Sequence, residues 1–397
     1  MTFIRELMDP VYAKRTSRGS SFSFINSVDL SKITMMCWAD PFFPDYSLPD
    51  HILDATVKSL ETNGAHYTLP IGDKELREEI AKRVKRVNGL NIDPGKNITV
   101  CCGSDAAFIF SMRPFLVPGE FNEVLIPTPS YANNFGIPPL AGGVTVTVPT
   151  FAEDEYDLRI EEFEKRLTSK TKVVLITNPN NPTTTVYKYE SLKKLADFVK
   201  KNNLILIVDQ CFEDTVFDGY KMTNITSIEG MFERTVLLSS LSKGMGICGF
   251  RIGYIIASED ISDVLHSCTV HYLGAPNTAA QAGAVAGLKN PAFMEGYRQE
   301  YMARAHIICD ILSTIPNIKF TKPQSGFFIW IDVSKYGGSA ETKKYLIEKA
   351  AVMPSEGTVF GDKEFIRLIY AALKNRNACI DAVMRIKKAL LEHPLNK

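Results

Sequence analysis

Thr235-Val-Leu-Leu-Ser-Ser-Leu-Ser-Lys243-Gly-Met-Gly-Ile-Cys-Gly-Phe-Arg251 begins as a continuous apolar run and ends among small residues. The run Thr235–Ser239 predicts a strand, which places Lys243 just past a strand end and Arg251 eight residues further on. Taken alone, a lysine there is a solvated surface charge, since Lys is rarely buried without a partner. Its neighbours Ser240, Ser242, Gly244, Gly246 and Gly249 shift that balance. They let a ligand approach the backbone closely and leave hydroxyls for an anion.

The same arrangement recurs upstream. Leu204-Ile-Leu-Ile-Val-Asp209 is an apolar run that terminates in a carboxylate, which either caps the following turn or faces a ligand. The run Lys172–Thr177 leads into Asn178-Pro-Asn-Asn181-Pro-Thr183, whose two Asn-Pro steps make a rigid turn able to present an amide at fixed geometry. Ile98–Cys102 leads into Gly103-Ser104-Asp105-Ala106, where Ser104 reads as the N-cap of a helix whose free amides also suit a phosphate. Glu123–Ile126, Val144–Val148 and Ile252–Ala257 are further strand candidates, and Ile160–Leu167 and Tyr189–Lys200 are helical between them. Apolar strands alternating with helices predict a parallel sheet covered on both faces, with ligands beyond the carboxyl ends of its strands. After Asn290 the pattern becomes helix (291–315), strand (Gly326–Asp332), helix (342–350), strand (Phe365–Tyr370) and helix (378–391), which predicts a smaller α+β unit.

Composition narrows the function classes. The 397 residues, 45% apolar and 23% charged, suffice for two or three packing units with a large core. Lys+Arg and Asp+Glu both number 45, so no bulk charge favours nucleic acid or an anionic membrane. The eight cysteines include no C-x-x-C pair and the six histidines no H-x-x-x-H, so no metal site is expected and the thiols are expected reduced in a cytoplasmic protein. Charges near Met1 interrupt any signal-like apolar segment, and no run approaches the roughly 18 residues of a membrane span. A soluble protein is expected.

In this order, Asn181-Pro-Thr, Asp209, Ser-Leu-Ser-Lys243 and Arg251 resemble the fold-type I pyridoxal-phosphate (PLP) enzymes, specifically the class I/II aminotransferases. Tyr67-Thr-Leu-Pro-Ile-Gly72 with Leu76-Arg77, Pro127-Thr-Pro-Ser-Tyr131, Gly326-Phe-Phe-Ile-Trp-Ile-Asp332 and Phe365-Ile-Arg367-Leu extend the resemblance over about residues 35–392. It implies an α/β fold, with a large domain built on a mostly parallel seven-stranded sheet covered by helices and a smaller α+β domain. Its implied boundaries are 1–50 for an N-terminal arm and part of the small domain, 51–288 for the PLP-binding domain and 289–397 for the C-terminal small domain.

The resemblance also implies roles. Lys243 forms the Schiff base and then moves a proton at the substrate α-carbon, while Asp209 keeps the pyridine nitrogen protonated. Asn181 contacts the ring oxygen and Tyr131 stacks on the ring. Arg251, Ser240 and the amides of Ser104, Asp105 and Ala106 bind phosphate, the arginine through its two-pronged fork. Ala39, Asn181 and Arg367 line the substrate side, with Arg367 on the α-carboxylate. Tyr67 reaches the phosphate of a neighbouring subunit, which makes the protein a homodimer with shared sites. The substrates are an α-amino acid and a 2-oxo acid.

Three positions depart from the family pattern. Phe212, in Asp209-Gln-Cys-Phe212, stands where a tyrosine usually donates to the ring oxygen. Thr184 replaces a glycine after Pro-Thr, and Ala39 replaces one near the substrate carboxylate. They motivate a rival reading as a PLP lyase, racemase or oxygen-using oxidase, with tolerated drift in a transaminase as the plainer account. A ligand-sensing regulator on the same scaffold would need a DNA-binding module, and no basic helix-turn-helix pattern is present. His271 and Tyr272 are candidates for the pocket mouth, although a loop histidine is more often an ordinary surface residue.

Overall fold

The computed structural model describes residues 3–15, 29–41 and 48–396, so part of the expected arm within residues 1–50 lies outside the described residues. Among the described residues twelve strands run in chain order: β1 (Thr34–Met36), β2 (Ile98–Cys101), β3 (Glu123–Thr128), β4 (Val144–Pro149), β5 (Thr171–Thr177), β6 (Ile205–Asp209), β7 (Thr235–Ser240), β8 (Gly253–Ile256), β9 (Lys319–Phe320), β10 (Phe328–Asp332), β11 (Val352–Glu356) and β12 (Phe365–Ile369). Seven of them form one sheet in the order β2-β8-β7-β6-β5-β3-β4. Only β8 runs against its neighbours, pairing antiparallel with β2 and β7.

The continuous apolar runs are explained by burial on both faces. Val174, Ile176, Leu206, Val208 and Leu237 belong to one core, and the alternating Val173, Leu175, Ile207, Val236 and Leu238 to another on the opposite face. Each fully buried aliphatic side chain contributes roughly 1.5–3 kcal/mol relative to exposure. Register then brings the functional ends together, since Thr177 pairs with Asp209 and Asp209 with Leu238.

The remaining strands form a second sheet in the order β1-β11-β12-β10-β9, with its own core. The sequence reading missed three of its members. β1 is only three residues long and β9 only two, and β11 reads Val-Met-Pro-Ser-Glu, in which Pro354 breaks the strand signal. β10 also starts later than expected, because Gly326 turns through φ +73° before the strand begins. Pairing of Ser355 with Arg367 carries the arginine toward the end of the large sheet.

Candidate active site

A cavity of about 240 Å³ is lined by Ala39, Ser104, Asp105, Tyr131, Asn181, Asp209, Cys211, Phe212, Ser240, Ser242, Lys243, Arg251 and Arg367. Lys243 sits in the short helix Leu241–Gly244, which Ser240 caps by accepting the Ser242 N–H at 3.1 Å. The Lys243 amine donates to the Ala39 carbonyl at 2.6 Å and lies 3.6 Å from the Cys248 thiol. Asp209 ends β6 fully buried, accepting the Cys211 N–H at 3.0 Å. Burial pushes its carboxyl up to about 6, a rise that the Cys211 contacts only partly offset.

Arg251 adopts φ +55° and lies 3.9 Å from the Asp105 carboxylate, with half of its side chain open to solvent. Ser104 begins the helix Ser104–Met112 but does not cap it, contrary to the sequence reading. The N-cap is Gly103, at φ +81°, where a Cβ would lie 2.3 Å from the Arg251 guanidinium. The positive φ favours glycine there, and no side chain caps the first-turn amides. Tyr131 donates its hydroxyl to Asp105 at 3.1 Å.

On the other side, Arg367 is buried between Phe328 and Phe360, with its guanidinium 5.4 and 4.4 Å from the two ring centres. It donates to the Asn181 side chain at 2.8 Å and to Ser355 at 3.2 Å, and its Nε is buried with no partner. Burial lowers this guanidinium to about 10. Asn178, by contrast, spends its side-chain oxygen on the Tyr187 N–H at 3.1 Å, so the first Asn-Pro step is turn chemistry and the second carries the cavity residue.

Some expectations fall outside the cavity lining. Ala106 is half-buried within the helix, Tyr67 is 94% exposed, and His271 and Tyr272 sit on the exposed end of the helix Glu259–Tyr272. Conversely, Cys211 lines the cavity and was not singled out; only its place two residues after Asp209 could have suggested it.

The class I and II aminotransferase family profile matches residues 40–383, most of the chain. This chain belongs to that family. It is 33% identical over 358 residues to an aspartate aminotransferase of Pyrococcus abyssi, covering 89% of this chain and 91% of the relative. It is 32% identical to aromatic-amino-acid aminotransferase 2 of Thermococcus litoralis, with the same coverages. The crystal structure of an aromatic aminotransferase from Pyrococcus horikoshii superposes with a TM-score of 0.87 at 31% identity, covering 94% of this chain and 99% of that one.

Aminotransferases of this family use PLP, and the residues present fit it. Asp209 is a buried carboxylate that calls for a cation, as a protonated ring nitrogen would supply. Gly103 keeps clear the space beside Arg251 and the helix amides, a cradle for phosphate. The orphaned Nε of Arg367 leaves a donor for a substrate carboxylate. No helix among the described residues is long and apolar enough to cross a membrane.

Proposed function

We propose that this PLP-dependent aminotransferase works as a cytoplasmic homodimer and that Lys243 is the lysine whose amine condenses with the cofactor aldehyde. The observation that carries the assignment is the convergence of Lys243, Asp209, Arg251 and Arg367 on one cavity. Bound PLP supplies an electron sink that acidifies the substrate α-carbon. Arg251, Ser240 and the amides of Ser104 and Asp105 hold its phosphate. Asp209 keeps the ring nitrogen protonated, and Asn181 donates from its amide nitrogen while its oxygen steadies Arg367.

Arg367 grips the α-carboxylate, and the Lys243 amine takes the α-proton and returns it one carbon away, at the former aldehyde carbon. Tyr67, exposed and outside its own cavity lining, serves the neighbouring subunit. The cationic lining residues are Lys243, Arg251 and Arg367, and each has a task.

Lys243→Ala tests the assignment. The variant retains phosphate-anchored PLP but loses the lysine-dependent visible absorbance, and turnover falls by roughly 10³-fold or more. Near-normal turnover would overturn it. An amino-acid screen with and without a 2-oxo acid and oxygen then separates transamination, which needs the oxo acid to recycle, from lyase, racemase or oxidase chemistry.

A further inference from the structure

A second ionic cluster lies behind Lys243, outside the cavity. Arg83, on the helix Lys74–Asn88, is fully buried and donates from one guanidinium nitrogen to Glu213 at 2.9 Å and to both carboxylate oxygens of Asp214 at 2.8 and 2.9 Å. Its Nε donates to the Tyr254 hydroxyl at 3.3 Å. Ser239 donates to the same Glu213 oxygen at 2.8 Å, and Asn88 reaches the other oxygen at 3.2 Å.

The partners of this cluster are sequence neighbours of the cavity lining. Glu213 follows Phe212, Ser239 precedes Ser240, and Asp214 packs so closely on Gly244 that a Cβ there would lie 2.3 Å from its carboxylate oxygen. Gly244 follows Lys243. Because successive residues of a strand point to opposite faces, Ser239 enters the ionic cluster while Ser240 faces the cavity. One arginine thus ties the segment after β6 to the segment after β7, the two that carry Asp209 and Lys243.

We propose that Arg83 is a positioning residue for PLP binding, setting the Lys243 segment against the Asp209–Phe212 segment through Glu213, Asp214 and Ser239. This rests on the assignment of Lys243 and Asp209 to the cofactor, which the Lys243→Ala spectrum tests separately. A purely structural role would require only that the buried carboxylates be neutralised. A positioning role requires the guanidinium itself, because its rigid plane fixes the nitrogen that meets both carboxylates relative to the Nε held on the Tyr254 hydroxyl.

The variant pair Arg83→Met and Arg83→Met/Glu213→Gln separates the two. The single variant leaves two buried carboxylates without their cation, and its thermal stability should fall. The double variant removes one cation and one anion, so the cluster keeps its formal charge with one stranded carboxylate, Asp214, instead of two, and its thermal stability should return in part. Positioning predicts that PLP affinity in the double variant, measured by titrating the apoprotein and following visible absorbance, remains weakened by roughly 10-fold or more. It also predicts a displaced pH titration of that absorbance.

Arg83→Lys should rescue affinity only in part. PLP affinity and titration within twofold of wild type in a folded double variant would overturn the proposal. Should the double variant fail to fold, Ser239→Ala decides: it cuts the hydrogen bond from β7 to Glu213 and should weaken PLP binding measurably. An unchanged affinity and titration there would equally overturn the proposal.

Discussion

Two fully buried arginines of this chain sit in opposite electrostatic states. Burial pushes the Arg83 guanidinium down, but Asp214, Tyr254 and Glu213 more than reverse this and hold it well above its ordinary value. Arg367 receives only neutral hydrogen-bond partners and two aromatic faces, and burial leaves it lowered to about 10. The buried aspartates repeat the contrast. Asp214 is raised by burial yet bonded to Arg83, whereas among the described residues Asp209 has no ion pair within 4 Å. Charges satisfied by the chain are scaffold, and those left unsatisfied mark where a ligand completes the structure.

The largest effects should come from exchanging each arginine for methionine. Arg83→Met strands two carboxylates and should cost about 3–5 kcal/mol of stability, read as a lower midpoint in denaturant. Arg367→Met removes an uncompensated buried charge, so the apoprotein should be as stable as wild type or more so. The same variant should raise the amino-acid KM by roughly 10- to 100-fold, the loss of a charged hydrogen bond of about 1.5–3 kcal/mol. If both substitutions destabilise alike, Arg367 is scaffold after all.

Asp209 sharpens the contrast through pH. Its folded carboxyl, at about 6, lies above the ordinary 3.8, so the native apoprotein binds more protons than the unfolded chain between those values. Stability therefore falls as pH rises from about 4 to about 6, by up to ~3 kcal/mol. Asp209→Asn should match wild type below about pH 4. At neutral pH the apoprotein should be more stable than wild type, while its PLP binding is weaker. A parallel pH profile for the two apoproteins would show that Asp209 is already charge-compensated.

This division also decides what the sequence reveals. Lys243, Asp209 and Asn181 stood out because each ends or follows an apolar strand of one sheet, and Arg251 because it comes eight residues after Lys243 in the turn before β8. The Ala39 and Arg367 side of the cavity was visible only through resemblance, since the Ala39 carbonyl meets Lys243 across 204 residues and Arg367 arrives on another sheet. Arg83 was illegible, as Lys82-Arg83-Val84-Lys85-Arg86 reads as a solvated helix face. The Thr184 departure is resolved only by the backbone. It keeps the φ of +65° suited to glycine, while its hydroxyl accepts the Gln324 N–H at 3.2 Å and its carbonyl the Ser325 hydroxyl at 2.8 Å. Those contacts to the segment entering β10 hold the threonine where sterics disfavour it.

Phe212 stands between the two regions, since it lines the cavity and also packs edge-on against Phe327 and Phe328 at 5.5 and 5.1 Å between ring centres. Neighbouring Glu213 belongs to the Arg83 cluster, so the ring's position is fixed from behind. Phe212→Tyr keeps the ring and adds one hydroxyl, and stability should change by less than about 1 kcal/mol. If that hydroxyl enters the cavity, it supplies the donor to the ring oxygen that this chain lacks. Stabilising the deprotonated form, it should then lower the pH midpoint of the PLP-loaded protein's visible absorbance by up to about one unit. Transamination should persist, because the added donor supports a contact common in the family and removes none. A shift in products toward transamination in the tyrosine variant would instead mean that the phenylalanine serves a specialised reaction. An unchanged midpoint would place the para position of residue 212 away from the cofactor oxygen, leaving Phe212 with the satisfied scaffold.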